Sequence, residues 1–335
     1  MKNRSHSLPA AVAASCFLAA AVFDLPATRA QVLAPPAANA EVDRPQFEEP
    51  AAKTMSPGAI VERATSELAQ HLSVVAKVRQ RGNLYGRELI GSGDYAQGPN
   101  RSRLLRYEIR MKVGSQIVHS LQVCDDRYLW ISRQLEDEPI IQRVEVDRIL
   151  AAYERQAAAQ PAPGDIGRMQ QALAVGGLGH LLASLRKDFQ FHSVAASKLG
   201  DLPVHVVTGS WKAEALSGFA ASAPKKKDAG RTVGGLVLRP HVPDQVVLFL
   251  GTDDLFPYRI EFRRLPEGAE HGVATADAGA APPVNADPNG LLLALELYEV
   301  QINVPLEERL FQFAPGSRPY TDVTELYLQQ MTALP

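Results

Sequence analysis

From Arg103 to Val113 the chain reads Arg-Leu-Leu-Arg-Tyr-Glu-Ile-Arg-Met-Lys-Val. Leu105, Tyr107, Ile109, Met111 and Val113 share one parity, and Arg106, Glu108, Arg110 and Lys112 share the other. Successive side chains of a strand point to opposite faces, so this is an antiparallel strand with one apolar and one wet face. The pattern recurs where Phe256, Tyr258, Ile260 and Phe262 alternate with Arg259, Glu261 and Arg263. A chain with many such strands must bury one face of a large sheet, under helices of its own or under a ligand.

Ser56-Pro57 supplies a cap and a first-turn proline, and Ile60, Ala64, Leu68, Leu72 and Val75 follow at helical spacing. The spacing predicts an amphipathic helix from there to about Gln80. Strands are predicted over 84–97, 102–113, 116–124, 128–133 and 140–146. Gly114-Ser115 and Asp125-Asp126 punctuate them tightly, which implies hairpins rather than crossovers. Gly91 and Gly93 suggest a bulge or bend in a strongly curved sheet.

Asp147 caps a short helix to about Gln156, and Asp165 caps another whose apolar positions run from Ile166 to Leu185, with Gly176-Gly177 as a kink. Further strands are predicted over 189–194, 202–211, 245–250, 256–265, 291–304 and 309–313. Residues 213–232, with Lys225-Lys226-Lys227, and 266–289 lack apolar periodicity and read as mobile loops. Asp322-Val323-Thr324-Glu325 starts a last helix to about Met331. Strands in hairpin order, with helices at the start, middle and end, make an α+β domain over 56–335. The alternative is two lobes divided near residues 157–165.

Residues 1–30 read as a secretory signal peptide: Lys2 and Arg4, an apolar run from Leu8 to Phe23, then Ala27-Thr28-Arg29-Ala30. The run is shorter than the ~20 residues a spanning helix needs. Ala13-Ala14-Ser15-Cys16 faintly resembles a lipoprotein cleavage box, but the usual Leu is missing and the apolar run continues beyond it. Residues 31–55, rich in Ala and Pro, read as a linker. Removing 1–30 takes away Lys2, Arg4, Arg29 and Asp24, which moves the net charge from −2 to −4. A basic excess, which nucleic acid or an anionic membrane would call for, is missing. Only Cys124 survives cleavage, so an exported domain has no internal disulfide and relies on its apolar core. A periplasmic location fits this layout best.

Four segments carry a family likeness: the predicted helix 59–78 leading into Leu84-Tyr85-Gly86; Gly91 to Tyr95 with Leu104 to Val113; Val123 to Trp130, a hairpin with an acidic turn; and Phe311 to Gly316. Together they resemble the LolA-type periplasmic lipoprotein carriers and their wider superfamily, which includes outer-membrane lipoprotein receptors and an envelope-stress regulator. The resemblance spreads over residues 56–330 and is one of pattern. It implies a strongly curved antiparallel sheet forming an incomplete β-barrel, with helices covering the concave face and an apolar cavity for acyl chains. The chain is longer than a minimal carrier, mainly through 147–180 and the two loops. The polar residue that gates acyl binding in the carriers has no placeable counterpart here.

Catalytic patterns do not stand out. There is no Gly-x-Ser-x-Gly elbow, P-loop or dinucleotide fingerprint. The histidines after residue 30 lie far apart, with no metal-ligand spacing. Asp125-Asp126 and Asp253-Asp254 fall between strands, where Asp is favoured for its backbone bonds. The reading is a non-enzymatic extracytoplasmic carrier or chaperone for a lipid or lipidated protein, with no cofactor or metal and no nucleic acid. A membrane-anchored donor or acceptor would be its partner. The residues expected to line the cavity are Leu105, Tyr107, Ile109, Met111, Trp130, Phe256, Tyr258, Ile260 and Phe262. The alternative is an envelope sensor or interaction module on the same fold.

Overall fold

The computed structural model describes residues 55–84, 87–99, 102–113, 116–135, 138–159, 166–220, 231–233, 236–238, 242–265 and 290–332. Residues 1–54, over which the sequence predicts a signal peptide and a linker, Lys225 to Lys227 and the segment 266–289 lie outside these residues.

Helix α1, Pro57–Gln70, starts as its cap dictates, with Ser56 Oγ accepting from Ala59 N at 3.3 Å. It ends at Gln70, not near Gln80: His71 is already extended, and strand β1, Val74–Leu84, follows. Leu72 and Val75 fit the helical spacing. However, Val74, Ala76, Val78 and Gln80 also share strand parity, and all four are buried. As a strand the segment is hydrogen-bonded on both sides, to β2 (Arg87–Gln97) and to β13 (Leu291–Ile302). That two-sided ladder outweighs the helical pattern. The predicted strand over 84–97 is therefore only the second arm of a hairpin.

Gly91 and Gly93 do not mark a bulge, since the β1–β2 and β2–β3 registers run unbroken past them. They allow β3 (Leu104–Val113) to come close. A Cβ on Gly93 would lie 1.8 Å from the Glu108 carbonyl oxygen, and one on Gly91 2.5 Å from Met111 Cγ.

The meander continues through β4 (Gln116–Asp125), β5 (Tyr128–Gln134) and β6 (Ile140–Glu145). Helices α2 (Val146–Ala159) and α3 (Ile166–Asp188) lead into β7 (Phe189–Leu199) and β8 (Leu202–Trp211). Residues 213–232, expected as a loop, begin with a helix, α4 (Ala213–Ala220), whose Ala215 joins the core. Beyond it, β9 (Arg231–Val233) and β10 (Leu236–Leu238) form a separate small hairpin. Strands β11 (Gln245–Gly251), β12 (Pro257–Arg263) and β13 complete the second run. The strand predicted over 309–313 is instead a 3-10 turn, Glu308–Phe311, that buries Phe311. Strand β14 (Thr321–Asp322) and helix α5 (Thr324–Thr332) close the chain.

Among the described residues one 12-stranded sheet holds all strands but β9 and β10, in the order β14-β6-β5-β4-β3-β2-β1-β13-β12-β11-β8-β7. Every pairing is antiparallel except β14 with β6. The β1–β13 pairing welds the early meander to the late one. The edges β14 and β7 do not pair, so the strongly curved sheet is an incomplete barrel. Helices cover its concave face, where α1 and α3 pack on each other and on the strands. No helix among the described residues is long and apolar enough to cross a membrane.

Candidate functional site: the concave apolar face

Parity carries the inward side chains of β3 and β12 into one apolar cluster. Leu105, Tyr107 and Ile109 are buried in it, with Met111 packed at its margin. From the other half come Phe256, Ile260 and Phe262, with Tyr258 again at the margin. The cover is Ile60, Val61, Ala64 and Leu68 of α1 and Leu178, Leu181, Leu182 and Leu185 of α3. Eight of the nine expected lining residues are thus brought together. Leu105, Ile109, Phe256 and Ile260 are almost fully buried in this cluster.

Trp130 is the exception. It sits between Leu129 and Ile131, which face the concave cluster, and pairs across the sheet with Val123. An odd step along a strand reverses the face, so Trp130 lies on the convex side. There its ring packs tilted against Phe313 at 5.5 Å and edge-to-face against Tyr320 at 5.1 Å between centroids. The run from Val304 to Tyr320 is a strap over β3 and β4, held at its far end by β14 on β6 and by the Arg143–Asp322 pair at 2.8 Å.

Polar bonds pin the helical cover. Gly177 interrupts α3 with φ +68° and ψ −163°, as Gly176-Gly177 led one to expect. The break leaves Leu178 N without a helical acceptor. Tyr95 OH and Gln97 Oε1 on β2 each accept it at 3.2 Å, and Tyr95 OH donates to Gln97 Oε1 at 2.5 Å. Deeper in the sheet, Tyr107 OH donates to Gln80 Oε1 at 3.0 Å. Burial raises both phenols, so both remain hydroxyl donors. Tyr258 is also raised, first by burial and then by its bond to Asp254 at 2.7 Å.

Sequence reading missed Gln80 and Gln97, although a signal exists: each is a polar residue at an inward strand position. For Gln80 the signal was hidden once 74–80 had been assigned to a helix.

The paired carboxylates serve turns. Asp125 Oδ1 accepts from Arg127 N and Tyr128 N, and Asp254 Oδ1 accepts from Phe256 N. Asp126 pairs with Arg103 at 2.8 Å. Burial pushes the Cys124 thiol up to about 12, which leaves it a poor nucleophile. Among the described residues no three His, Cys, Asp or Glu side chains gather to hold a metal.

No protein-family model matches the chain, and no curated protein matches it. Several solved structures are similar in architecture. The lipoprotein LppX of Mycobacterium tuberculosis is 14% identical, with 75% of this chain and 97% of that one covered and a TM-score of 0.37. A LolA superfamily protein of Nitrosomonas europaea is 13% identical, covering 78% and 99%, with a TM-score of 0.26. MucB in its complex with MucA from Pseudomonas aeruginosa is 12% identical, covering 77% of this chain and 61% of that one, with a TM-score of 0.33. The likeness is of fold, and function rests on this chain's own residues.

Proposed function

We propose that this chain is a non-enzymatic, extracytoplasmic carrier or chaperone that shields a lipid or a lipoprotein acyl chain against the concave face of its sheet. The observation that supports it most is the cover itself: one apolar face spans both halves of an open barrel under a helix broken at Gly177. The signal-peptide layout of residues 1–30 supports an extracytoplasmic, periplasmic setting.

In the closed state the face packs on α1 and α3. Loading exchanges that packing for acyl methylenes, each contributing about 0.8 kcal/mol when buried. Met111, at the margin, suits chains of varied shape through its flexible thioether. Release follows when a membrane-anchored acceptor binds the closed state more tightly. Delipidated protein titrated with a fluorescent fatty acid should show saturable uptake. Tyr95→Phe, which removes the hydroxyl from Leu178 N, should speed that uptake by loosening the cover. Uptake in neither protein overturns the reading.

The near-complete burial of Leu105, Ile109, Phe256 and Ile260 favours a second reading, a sensor or interaction module whose hollow is filled by its own side chains. Mass spectrometry of protein purified from its native host separates the two. Co-purifying lipid marks the carrier, and a stoichiometric protein partner marks the module.

A further inference from the structure

Seven large hydrophobic side chains are exposed among the described residues, and four of them lie at one end of the sheet: Ile90 (46%), Ile117 (68%), Leu135 (50%) and Ile140 (65%). This is the end where the β1–β2, β3–β4 and β5–β6 hairpins turn. Register sets Ile90 between Arg81 and Lys112, and Lys112 beside Ile117. These side chains have the parity opposite to Gln80, Gly91, Met111 and Val118, so the row Arg81, Ile90, Lys112, Ile117 lies on the convex face. Arg110 stands in the next row, between Ser92 and His119.

Arg81, Arg110 and Lys112 are exposed, and none forms an ion pair among the described residues. The exposed acids described at this end are Glu88 on β2 and Glu138 beside Ile140, and neither is ion-paired with these three cations. Glu108 is engaged by Arg106 and His119, each at 2.8 Å, which leaves Glu88 as the one exposed acid on this part of β2. A chain of net charge −2 has thus gathered three free cations around two bare isoleucines.

We infer that this end of the convex face docks on the surface of an anionic phospholipid bilayer. Ile90 and Ile117 enter the headgroup region while Arg81, Arg110 and Lys112 meet lipid phosphates. Exposed apolar side chains interleaved with cations combine burial with attraction to anionic lipid, a pairing that neither solvent nor a neutral surface rewards. Two-fold contact of this patch with itself would set cation against cation, which argues against a second copy. Docking stands apart from acyl binding: it needs only the outer face, and it would bring a carrier to its membrane without using the hollow.

Full-length protein should sediment with phosphatidylglycerol vesicles and much less with phosphatidylcholine vesicles. R110E/K112E should weaken the phosphatidylglycerol association at least ~25-fold, at about fivefold per basic residue near a charged surface. High salt should weaken the wild type in the same direction. I90S/I117S should also weaken binding, without charge change. All four sites are exposed, so thermal midpoints should hold, and every variant keeps the same N-terminal segment. Wild-type sedimentation of both double variants overturns the inference, as does equal binding to the two vesicle types. So does a change of oligomeric state in the variants with vesicle binding unchanged, or binding only to an acidic protein. Fatty-acid uptake by R110E/K112E reports on the carrier reading alone, so the two can fail separately.

Discussion

The concave and convex faces are built from the same strands and hold their covers by different means. On the concave side Leu105, Ile109, Ile260 and the α1 and α3 leucines form one apolar cluster. Such burial is non-directional and roughly proportional to area, so one apolar cover can replace another. The convex side carries paired charges, some partly exposed, such as Arg79 with Glu296 at 3.3 Å and Arg106 with Glu108 at 2.8 Å, and one buried, Glu261 with Arg259 and Arg263. Exposed pairs contribute little, about 0–1 kcal/mol each, and fix geometry more than stability. Around Val123, Trp130 and Ile141 the convex face is covered by a strap, and Val204, Val206, Val247 and Phe249 form a second buried apolar cluster on the same face.

The largest effect should come from the break in the concave cover. Gly177→Val places a β-branched residue at φ +68°, ψ −163°, a region essentially reserved for glycine. Its Cβ would fall 2.3 Å from Gln97 Oε1, which is committed to Tyr95 and Leu178 N. A loss of about 4 kcal/mol is expected from strain plus the broken bonds, read as a lower urea midpoint. Near-wild-type stability would mean that the α3 break does not depend on this clamp.

Trp130→Ala should cost about 3 kcal/mol, as for other buried aromatic truncations, through the loosened strap. Because Trp130 lies on the convex face, fatty-acid uptake should be unchanged at temperatures where the variant is folded. Uptake falling with Trp130→Ala, but not with an equally destabilising change on the concave face, would reverse the assignment of faces.

That error shows how legible the sequence was. Alternation around Leu105–Val113 and Phe256–Phe262 placed eight of the named residues on the face of one apolar cluster, because parity within a strand is written locally. Trp130 failed since its strand is apolar on both faces: Leu129, Trp130 and Ile131 are all buried, and periodicity cannot assign a side there. Residues 74–80 failed for a non-local reason. Their strand state depends on β13, more than two hundred residues away in sequence, which no window around Val75 contains. Net charge has a third limit. It averages over the chain, whereas Arg81, Arg110 and Lys112 are gathered only when strands from different hairpins lie side by side.

The smallest effect separates the faces by pH. His180 follows the break in α3, and burial lowers its pKa below the ordinary value. The unfolded chain then takes up its proton first, so its contribution is complete above about pH 6.5 and is lost as the pH falls below that. Glu108, on the convex face, is pulled up by burial but held below its ordinary range by Arg106 and His119. Its contribution is complete above about pH 4.3 and is lost only as the pH falls further, through its folded value. Mild acid should therefore loosen the helical cover while the convex pairs persist. His71 and His192, also lowered by burial, add to the same window, so His180→Leu should flatten the loss of stability only in part. Urea midpoints measured from neutral pH down to about pH 5 check this. An identical slope in wild type and His180→Leu would remove His180 from the linkage, leaving mild-acid sensitivity to the other two histidines.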